Sequence, residues 1–301
     1  MSVTIVGTVA LDSIETPFGK HEKLLGGSGT YAGSAASIFS EVNLVSIVGN
    51  DFPQEYTDYL KSKGMNVDGI KIADGKTFHW SGYYEGDMGQ AHTRLTDLNV
   101  LLEFDPVIPD SAKNSKIVFM ANIDPVLQKK AIEQFNNPEC VILDSMNFWI
   151  ENNLNELKET LKLVDILIIN DQEIKQLTGK QNIIQAMREV LKLGPNRVVV
   201  KKGENGSIMF DGKEFFICPA VPLDKVVDTT GAGDSFAGAF SGYIDKADSV
   251  CDEVLRKAIV YGTLVSSHTV QGFSVDVLKT LDEEILLDKY KQFNELVAWP
   301  T

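Results

Sequence analysis

Short runs of valine and isoleucine alternate with helix-periodic stretches along this chain, and this alternation constrains the fold most strongly. The runs favour strands at residues 3–6, 44–48, 117–120, 141–143, 166–169 and 198–200. Their hydrophobicity is continuous, as strands covered on both faces require. Helical patterns lie between them at residues 30–39, 55–63, 153–163 and 183–193. The alternation predicts βαβ units, and therefore a three-layer α/β/α fold around a mainly parallel central sheet.

Two segments break this rhythm, residues 12–25 and 76–104. The second contains the run Thr77-Phe78-His79-Trp80-Ser81-Gly82-Tyr83-Tyr84. This run is aromatic and partly alternating, which favours antiparallel strands over a crossover helix. We interpret both segments as a small β-sheet lid, inserted in a single domain that spans residues 1–301. An ordinary hairpin insertion is the alternative.

Composition and charge exclude several classes of protein. The chain has 301 residues, of which 44% are hydrophobic and 23% charged, as in ordinary soluble globular proteins. A formal net charge of -14 argues against nucleic acid or an anionic membrane as partner. Three widely spaced cysteines fit free thiols in a reducing compartment, and no stretch is long and apolar enough to span a bilayer. These features predict a cytoplasmic protein.

A glycine-rich turn in the C-terminal third bears most directly on function. It runs Asp228-Thr229-Thr230-Gly231-Ala232-Gly233-Asp234 and continues into a helix-periodic stretch. Its glycines let successive N–H groups face an anion, and the helix adds the positive end of its dipole. A phosphate there would repel Asp234 unless that carboxylate has a chemical task, and general base on an attacking hydroxyl is the obvious one. An ordinary helix-capping role for this aspartate is the alternative.

This turn resembles the second signature of the PfkB carbohydrate kinase family, the ribokinase-like sugar and nucleoside kinases. The run Gly26-Gly27-Ser28-Gly29-Thr30-Tyr31-Ala32-Gly33 resembles the first signature, and the resemblance spans nearly the whole chain. It implies a ribokinase-like fold, ATP and Mg²⁺ as cofactors, and an alcohol as phosphate acceptor. It also implies that Asp234 is the catalytic base and that Gly231, Ala232 and Gly233 form an anion hole.

The resemblance further implies where the acceptor binds. Asp12 follows the first strand, in the position of a family aspartate that binds sugar hydroxyls; a turn-forming aspartate is the alternative. The neighbouring contacts that it implies are Gly26, Gly27, Thr30 and Tyr31. Tyr31 stands where ribokinase-like relatives often carry an asparagine that binds sugar hydroxyls. At this position the sequence departs from the pattern expected of a ribose-binding protein. In the predicted lid, Arg94 is a candidate to pair with an anionic group of the acceptor.

The nucleotide and metal sites are also implied by the resemblance. The run Asn170-Asp171-Gln172-Glu173 resembles the family's Asn-x-x-Glu motif, with Asn170 near the phosphates and Glu173 organising Mg²⁺ through water. Read without the resemblance, the two residues form a helix-capping box. The remaining implied nucleotide contacts are Lys202, Gly203, Gly206, Thr229, His268 and Gly272. Asp228 and Thr230 occupy positions that many relatives use for a monovalent cation such as K⁺.

Two other nucleotide-binding motifs fail on local context. The spacing Gly27-x-Gly29-x-x-Ala32 matches the permissive dinucleotide fingerprint, but the preceding Lys23-Leu24-Leu25 is a poor strand. Around Gly75-Lys76-Thr77, the leading glycine of a Walker motif is replaced by Ile70.

The sequence therefore predicts an ATP-dependent phosphotransferase acting on an alcohol group of a small sugar or sugar-like acceptor. One alternative is a nucleoside kinase of the same fold, in which Phe78, Trp80 or Tyr84 would stack on the base. The other is a non-catalytic sensor of sugar or nucleotide. Family analogy adds the expectation of a homodimer joined through the lids.

Overall fold

A computed structural model describes residues 2–86, 88–89 and 91–298 of the chain. Within them the strands, in chain order, are β1 (Ser2–Val6), β2 (Ala10–Thr16), β3 (Gly19–Gly26), β4 (Glu41–Gly49), β5 (Met65–Ala73), β6 (His79–Tyr83), β7 (His92–Asp97), β8 (Ile117–Met120), β9 (Cys140–Asp144), β10 (Ile166–Asn170), β11 (Arg197–Lys201), β12 (Ser207–Phe210) and β13 (Phe215–Cys218). They form one large sheet and one small sheet.

The large sheet has nine strands in the order β13-β12-β11-β10-β9-β8-β1-β4-β5. The seven strands from β11 to β5 are parallel, and β12 and β13 continue the sheet as an antiparallel edge. The six predicted strands correspond to β1, β4, β8, β9, β10 and β11. The prediction of an α/β fold with a mainly parallel central sheet is therefore confirmed.

Helices cover both faces of this sheet. They are α1 (Ser28–Ala36), α2 (Gln54–Ser62), α3 (Pro125–Ile132), α4 (Asn147–Asn152), α5 (Leu154–Leu161), α6 (Asp171–Thr178), α7 (Ile183–Leu191), α8 (Ala232–Ala247), α9 (Asp252–Thr269) and α10 (Glu283–Val297). One core cluster joins the sheet to α1, α8 and α9, and the other joins its opposite face to α3, α5, α6 and α7. The protein thus has the three layers that alternating strands and helices predict.

Small residues bring α1 and α8 unusually close. A Cβ atom added to Gly238 would lie 2.1 Å from the carbonyl oxygen of Ala32, and one added to Gly242 would lie 2.6 Å from that of Ala36. Only glycine fits at such separations. The close contact places the glycine-rich turn before α8 beside the glycine-rich turn before α1.

The small sheet has the order β3-β2-β6-β7 and takes its strands from the two segments that interrupt the α/β alternation. A 3₁₀ helix at Asn99–Glu103 follows β7, and Val100 and Phe104 pack into the core of the large sheet. All residues of β7 are exposed. Dimerisation through this sheet remains a prediction. Among the described helices, none is both long and apolar enough to cross a bilayer.

Candidate active site

Three strand ends and one helix start converge at the carboxyl edge of the large sheet. Asp144 ends β9, Asn170 ends β10 and Lys201 ends β11, all on adjacent parallel strands. The first turn of α8 lies against them, since Gly233 contacts Lys201. Ligands of open α/β sheets bind at this edge.

The turn before α8 has the backbone geometry of an anion cradle. Gly231 precedes the helix with a left-handed φ of 74°, and a Cβ atom there would lie 2.3 Å from the ring of the buried Tyr31. The first N–H groups of a helix have no intrahelical acceptor. In this turn the N–H of Ala232 donates to the carbonyl oxygen of Thr229 at 3.2 Å, while the hydroxyl of Ser235 is buried without a partner. An anion bound at this turn would accept hydrogen bonds from the donors that have no acceptor within the protein.

Asp234 lies in the first turn of α8, directly after these glycines. Burial, and then the nearby charge of Asp144, raise the pKa of its carboxyl to about 6, although the ammonium group of Lys201 opposes the rise. A carboxylate with this pKa is ionised at neutral pH and can still accept a proton readily. Its position and its pKa both suit a general base.

Asp144 and Lys201 form an ion pair in the floor of the site that the sequence analysis missed. The Lys201 ammonium donates to Asp144 Oδ2 at 2.8 Å, and the two side chains are only 16% and 5% exposed. A Cβ atom on Gly233 would lie 2.8 Å from Lys201 Nζ, so the ammonium lies against the cradle. The signal that could have found the pair is that each residue directly follows a continuous apolar run, at the same edge of the sheet.

Asn170 and Glu173 form the capping box that starts α6. The Asn170 side chain accepts from the N–H of Glu173 at 2.8 Å, and Glu173 Oε2 accepts from the N–H of Asn170 at 2.9 Å. Burial, and then the charge of Asp144, raise the pKa of the Glu173 carboxyl to about 7. No group of three or more potential metal-ligating side chains occurs within the described residues. Mg²⁺ commonly binds one or two carboxylates together with water and substrate phosphates, so this donor set fits it.

Asp12 on β2 faces the start of α1. It is buried, the N–H of Gly27 donates to it, and a Cβ atom on Gly26 would lie 1.9 Å from its Oδ2. Burial, and then the charges of Asp228 and Asp234, raise the pKa of Asp12 to about 7. The two glycine-rich turns and the three carboxyl groups therefore surround one space.

Asp228 also borders that space. Its Oδ1 accepts from the N–H of Thr230 at 2.9 Å, whereas Oδ2 is buried without a hydrogen-bond partner. The Tyr31 hydroxyl is likewise buried and unpartnered, and so is the hydroxyl of the adjacent Thr30. The Thr230 hydroxyl bonds that of Tyr84, on the segment after β6, at 2.9 Å. A buried carboxylate oxygen without a donor is a position that a cation would satisfy.

The remaining candidate nucleotide contacts lie in the turn after β11, in the turn before α8 and at the end of α9. The turn after β11 is closed by the Lys202 N–H, which donates to the Gly206 carbonyl at 2.8 Å, and both Gly203 and Gly206 have positive φ. The Thr229 hydroxyl donates to the carbonyl oxygen of Met88 at 2.9 Å. At the end of α9, His268 is half-buried with Nδ1 unpartnered, and Gly272 packs against Val277.

Arg94 is not brought to this site. It is 44% exposed on β7, pairs with Glu15 and stacks over the ring of Tyr83 at 4.4 Å. Because side chains alternate along a strand, Glu15 and Asp12 of β2 point to opposite faces of the small sheet. Arg94 therefore lies on the outer face, away from Asp12.

The raised pKa values of three carboxyl groups at this site predict that the free protein gains stability when the pH falls from 8 to 5. The pKa values of Asp12, Glu173 and Asp234 rise in the fold to about 7, 7 and 6, from ordinary values of 3.8, 4.5 and 3.8. A raised folded-state pKa contributes stability below the unfolded pKa, and that contribution is lost as the pH rises through the folded value.

We therefore expect Asp12→Asn to raise the Tm at pH 8 by about 3–6 °C, and to flatten the gain in Tm between pH 8 and pH 5. Asp110→Asn is the control, because Asp110 pairs with Lys113 on the surface. An Asp12→Asn protein whose Tm follows the wild-type pH dependence would contradict this account of the site.

Comparison with known proteins identifies the family of the chain. A sequence model described as pfkB family carbohydrate kinase matches residues 16–279. The chain is 30% identical over 253 residues to a cytidine kinase of Thermococcus kodakarensis, covering 81% of this chain and 88% of that protein. It is 27% identical over 286 residues to a ribokinase of Lactococcus lactis, covering 90% and 92%. The structure of Arabidopsis thaliana ribokinase complexed with ribose and ATP superposes with a TM-score of 0.75 at 23% identity, covering 96% and 98%. The chain belongs to the pfkB family of carbohydrate kinases, and is therefore a phosphotransferase.

Proposed function

We propose that the protein transfers the γ-phosphoryl group of ATP to an alcohol group of a small sugar or sugar-like acceptor. The observation that carries the proposal is the partly buried Asp234 carboxyl group, which directly follows the glycines of the anion cradle and interacts electrostatically with Asp12. A carboxylate beside a phosphate site is costly unless it removes a proton. The family, and the ribose and ATP bound by the similar Arabidopsis ribokinase, support the same reaction.

In this proposal each side of the site has one task. Asp12 and the backbone of Gly26 and Gly27 hold the acceptor hydroxyls, with Thr30 and Tyr31 beneath. Asp234 takes the proton of the attacking hydroxyl, which typically contributes 10²–10⁴-fold to such reactions. The backbone N–H groups of the cradle stabilise charge on the transferred group, since they are fixed before the reaction begins.

The residues present fit the nucleotide and its ions. Glu173 and Asn170 would hold Mg²⁺ through water, and the ion would neutralise phosphate charge when bound. The unpartnered Oδ2 of Asp228, together with Thr230, suits a monovalent cation such as K⁺. We further propose that the rest of ATP contacts Lys202, Gly203, Gly206, Thr229, His268 and Gly272.

We propose that the small sheet acts as a lid. The segment after β6 reaches the cradle turn through the Tyr84–Thr230 hydrogen bond and through the bond between the Thr229 hydroxyl and the Met88 carbonyl. Ile14, Tyr84 and Met88 form an apolar cluster there with Trp80, Val226 and Phe273 packed against it. Such a cover would exclude water, which otherwise competes with the acceptor hydroxyl.

A nucleoside is the second candidate acceptor. Trp80 pairs in register with Asp12 on neighbouring strands, so the indole and the carboxyl group share one face of the small sheet. An aromatic ring beside the sugar-binding carboxylate is well placed to stack on a base. The similarity to a cytidine kinase favours this reading as well.

The reaction is tested with Mg-ATP and a panel of sugars, sugar phosphates, polyols and nucleosides, by measuring ADP release. We expect release that depends on one class of acceptor. A rate with a nucleoside far above that with ribose would select the second candidate. A protein that binds ATP but releases no ADP with any member of this panel would contradict the proposed acceptor classes.

Trp80→Ala separates the two acceptor classes in the same assay. If the acceptor is a nucleoside, its KM rises about 10-fold or more with little change in kcat, because base stacking contributes about 1–3 kcal/mol. If it is a simple sugar, its KM is nearly unchanged. Phe148→Ala is the control, since Phe148 is a half-exposed aromatic on α4.

A further inference from the structure

We propose that the ammonium group of Lys201 binds the phosphoryl group during its transfer and is a catalytic residue of this kinase. This inference rests on the proposed function and adds a residue to its machinery. It starts from a contact between β11 and α8, where the end of the lysine side chain lies against Gly233.

The position of Lys201 is fixed by two neighbours. The atoms of its side chain closest to the Cβ position of Gly233 are Nζ, Cε and Cδ, at 2.8, 3.6 and 3.9 Å. The ammonium end of the lysine side chain, and not its aliphatic part, therefore makes the closest approach to the cradle. Asp144 holds the ammonium group from the other side at 2.8 Å. Gly233 immediately precedes Asp234, so the cation lies next to the proposed base.

The ammonium group of Lys201 retains hydrogen-bond donors for an anion, although carboxyl groups surround it. A cation beside the first turn of a helix is disfavoured by the helix dipole. Among the described residues, Asp144 is the ion-pair partner of Lys201, and the carboxyl groups of Glu173 and Asp234 also interact with it electrostatically. An ammonium group has three N–H donors, so the bond to Asp144 leaves capacity for phosphate oxygens.

A purely structural role for Lys201 is the competing explanation. In that case the lysine would only balance the charge of Asp144 and Glu173, and phosphate would not touch it. Yet charge in phosphoryl transfer spreads over the oxygens of the transferred group, and fixed cations at that point lower the barrier. Lysine acts as a point charge in many phosphate sites. Lys201, whose ammonium group lies against Gly233 and next to the proposed base, meets this need directly.

Calorimetry distinguishes the two roles by comparing ligands with and without the γ-phosphate. With Lys201→Met and Mg²⁺ present, we expect the Kd of the β,γ-imido analogue of ATP to rise about 10–100-fold, while that of ADP changes less than about 3-fold. Lys201→Arg should recover part of the loss, because it keeps the charge. Lys162→Met is the control, since Lys162 pairs with Glu159 on the surface.

Equal weakening of both ligands, or of neither, would overturn the inference. If Lys201→Met does not fold, the double variant Lys201→Met/Asp144→Asn removes both charges of the pair, and the same comparison is made with Asp144→Asn as its reference. The wild-type protein separates this inference from the function on which it rests. Wild type that binds no ATP contradicts the proposed function, whereas γ-phosphate selectivity that survives in Lys201→Met contradicts only the role of Lys201.

Discussion

Asp234→Asn is expected to lower kcat by about 10²–10⁴-fold while the fold and the affinity for ATP are kept. Asparagine has nearly the same shape as aspartate, so packing in the first turn of α8 is retained. It cannot accept the proton of the acceptor hydroxyl. Binding of the nucleotide would not suffer, because the variant removes a negative charge from a phosphate site. The loss should therefore appear in the chemical step.

The pH profile provides a second readout for Asp234. Its pKa is raised to about 6, so wild-type kcat should fall as the pH drops below that value and the base becomes protonated. The variant should lose this ascending limb. Asp110→Asn, which alters a surface aspartate, should behave as wild type. Near-normal turnover in Asp234→Asn would rule the residue out as the base.

Gly231→Ala is expected to abolish nearly all turnover and to destabilise the fold by about 2–4 kcal/mol. The residue has a φ of 74°, which a side chain disfavours, and the new methyl group would lie 2.3 Å from the Tyr31 ring. Tyr31 belongs to α1 and is fully buried, so its ring cannot move away without opening the core. The turn must shift instead, and the cradle N–H groups shift with it.

Gly179→Ala is the matched control for this substitution. Gly179 ends α6 with a similar φ of 68°, but a Cβ atom there would have no neighbour within 4 Å. It should cost only the backbone strain, about 1 kcal/mol, and leave turnover intact. Thermal unfolding and steady-state kinetics of the two variants measure the difference. Wild-type activity in Gly231→Ala would contradict the requirement for glycine in the cradle.

The sequence predicted the interior of the large sheet better than its edges. Strands buried on both faces produce continuous apolar runs such as Ile166–Ile169, which are easily recognised. The edge strand β5 is only partly buried, and β12 and β13 form a short antiparallel hairpin, so their patterns are weaker. The family and the phosphotransferase class, both expected from the two glycine-rich signatures, are confirmed.

The site shows where local patterns stop being informative. The cradle and Asp234 are contiguous in sequence, so one motif displayed them together. Asp144 and Lys201 are 57 residues apart and meet only because β9 and β11 flank β10 in the sheet. The contact of Tyr31 with Gly231 depends on how α1 packs against α8. No spacing along the chain encodes either contact.

Phosphoryl transfer itself is tested most directly by the mass of the acceptor after incubation with ATP that carries heavy oxygen isotopes in its γ-phosphoryl group. The account predicts that the acceptor gains one labelled phosphoryl group with the wild-type protein, and that this product is nearly absent with Asp234→Asn. Labelled inorganic phosphate together with an unmodified acceptor would show hydrolysis instead of transfer, and would contradict the account.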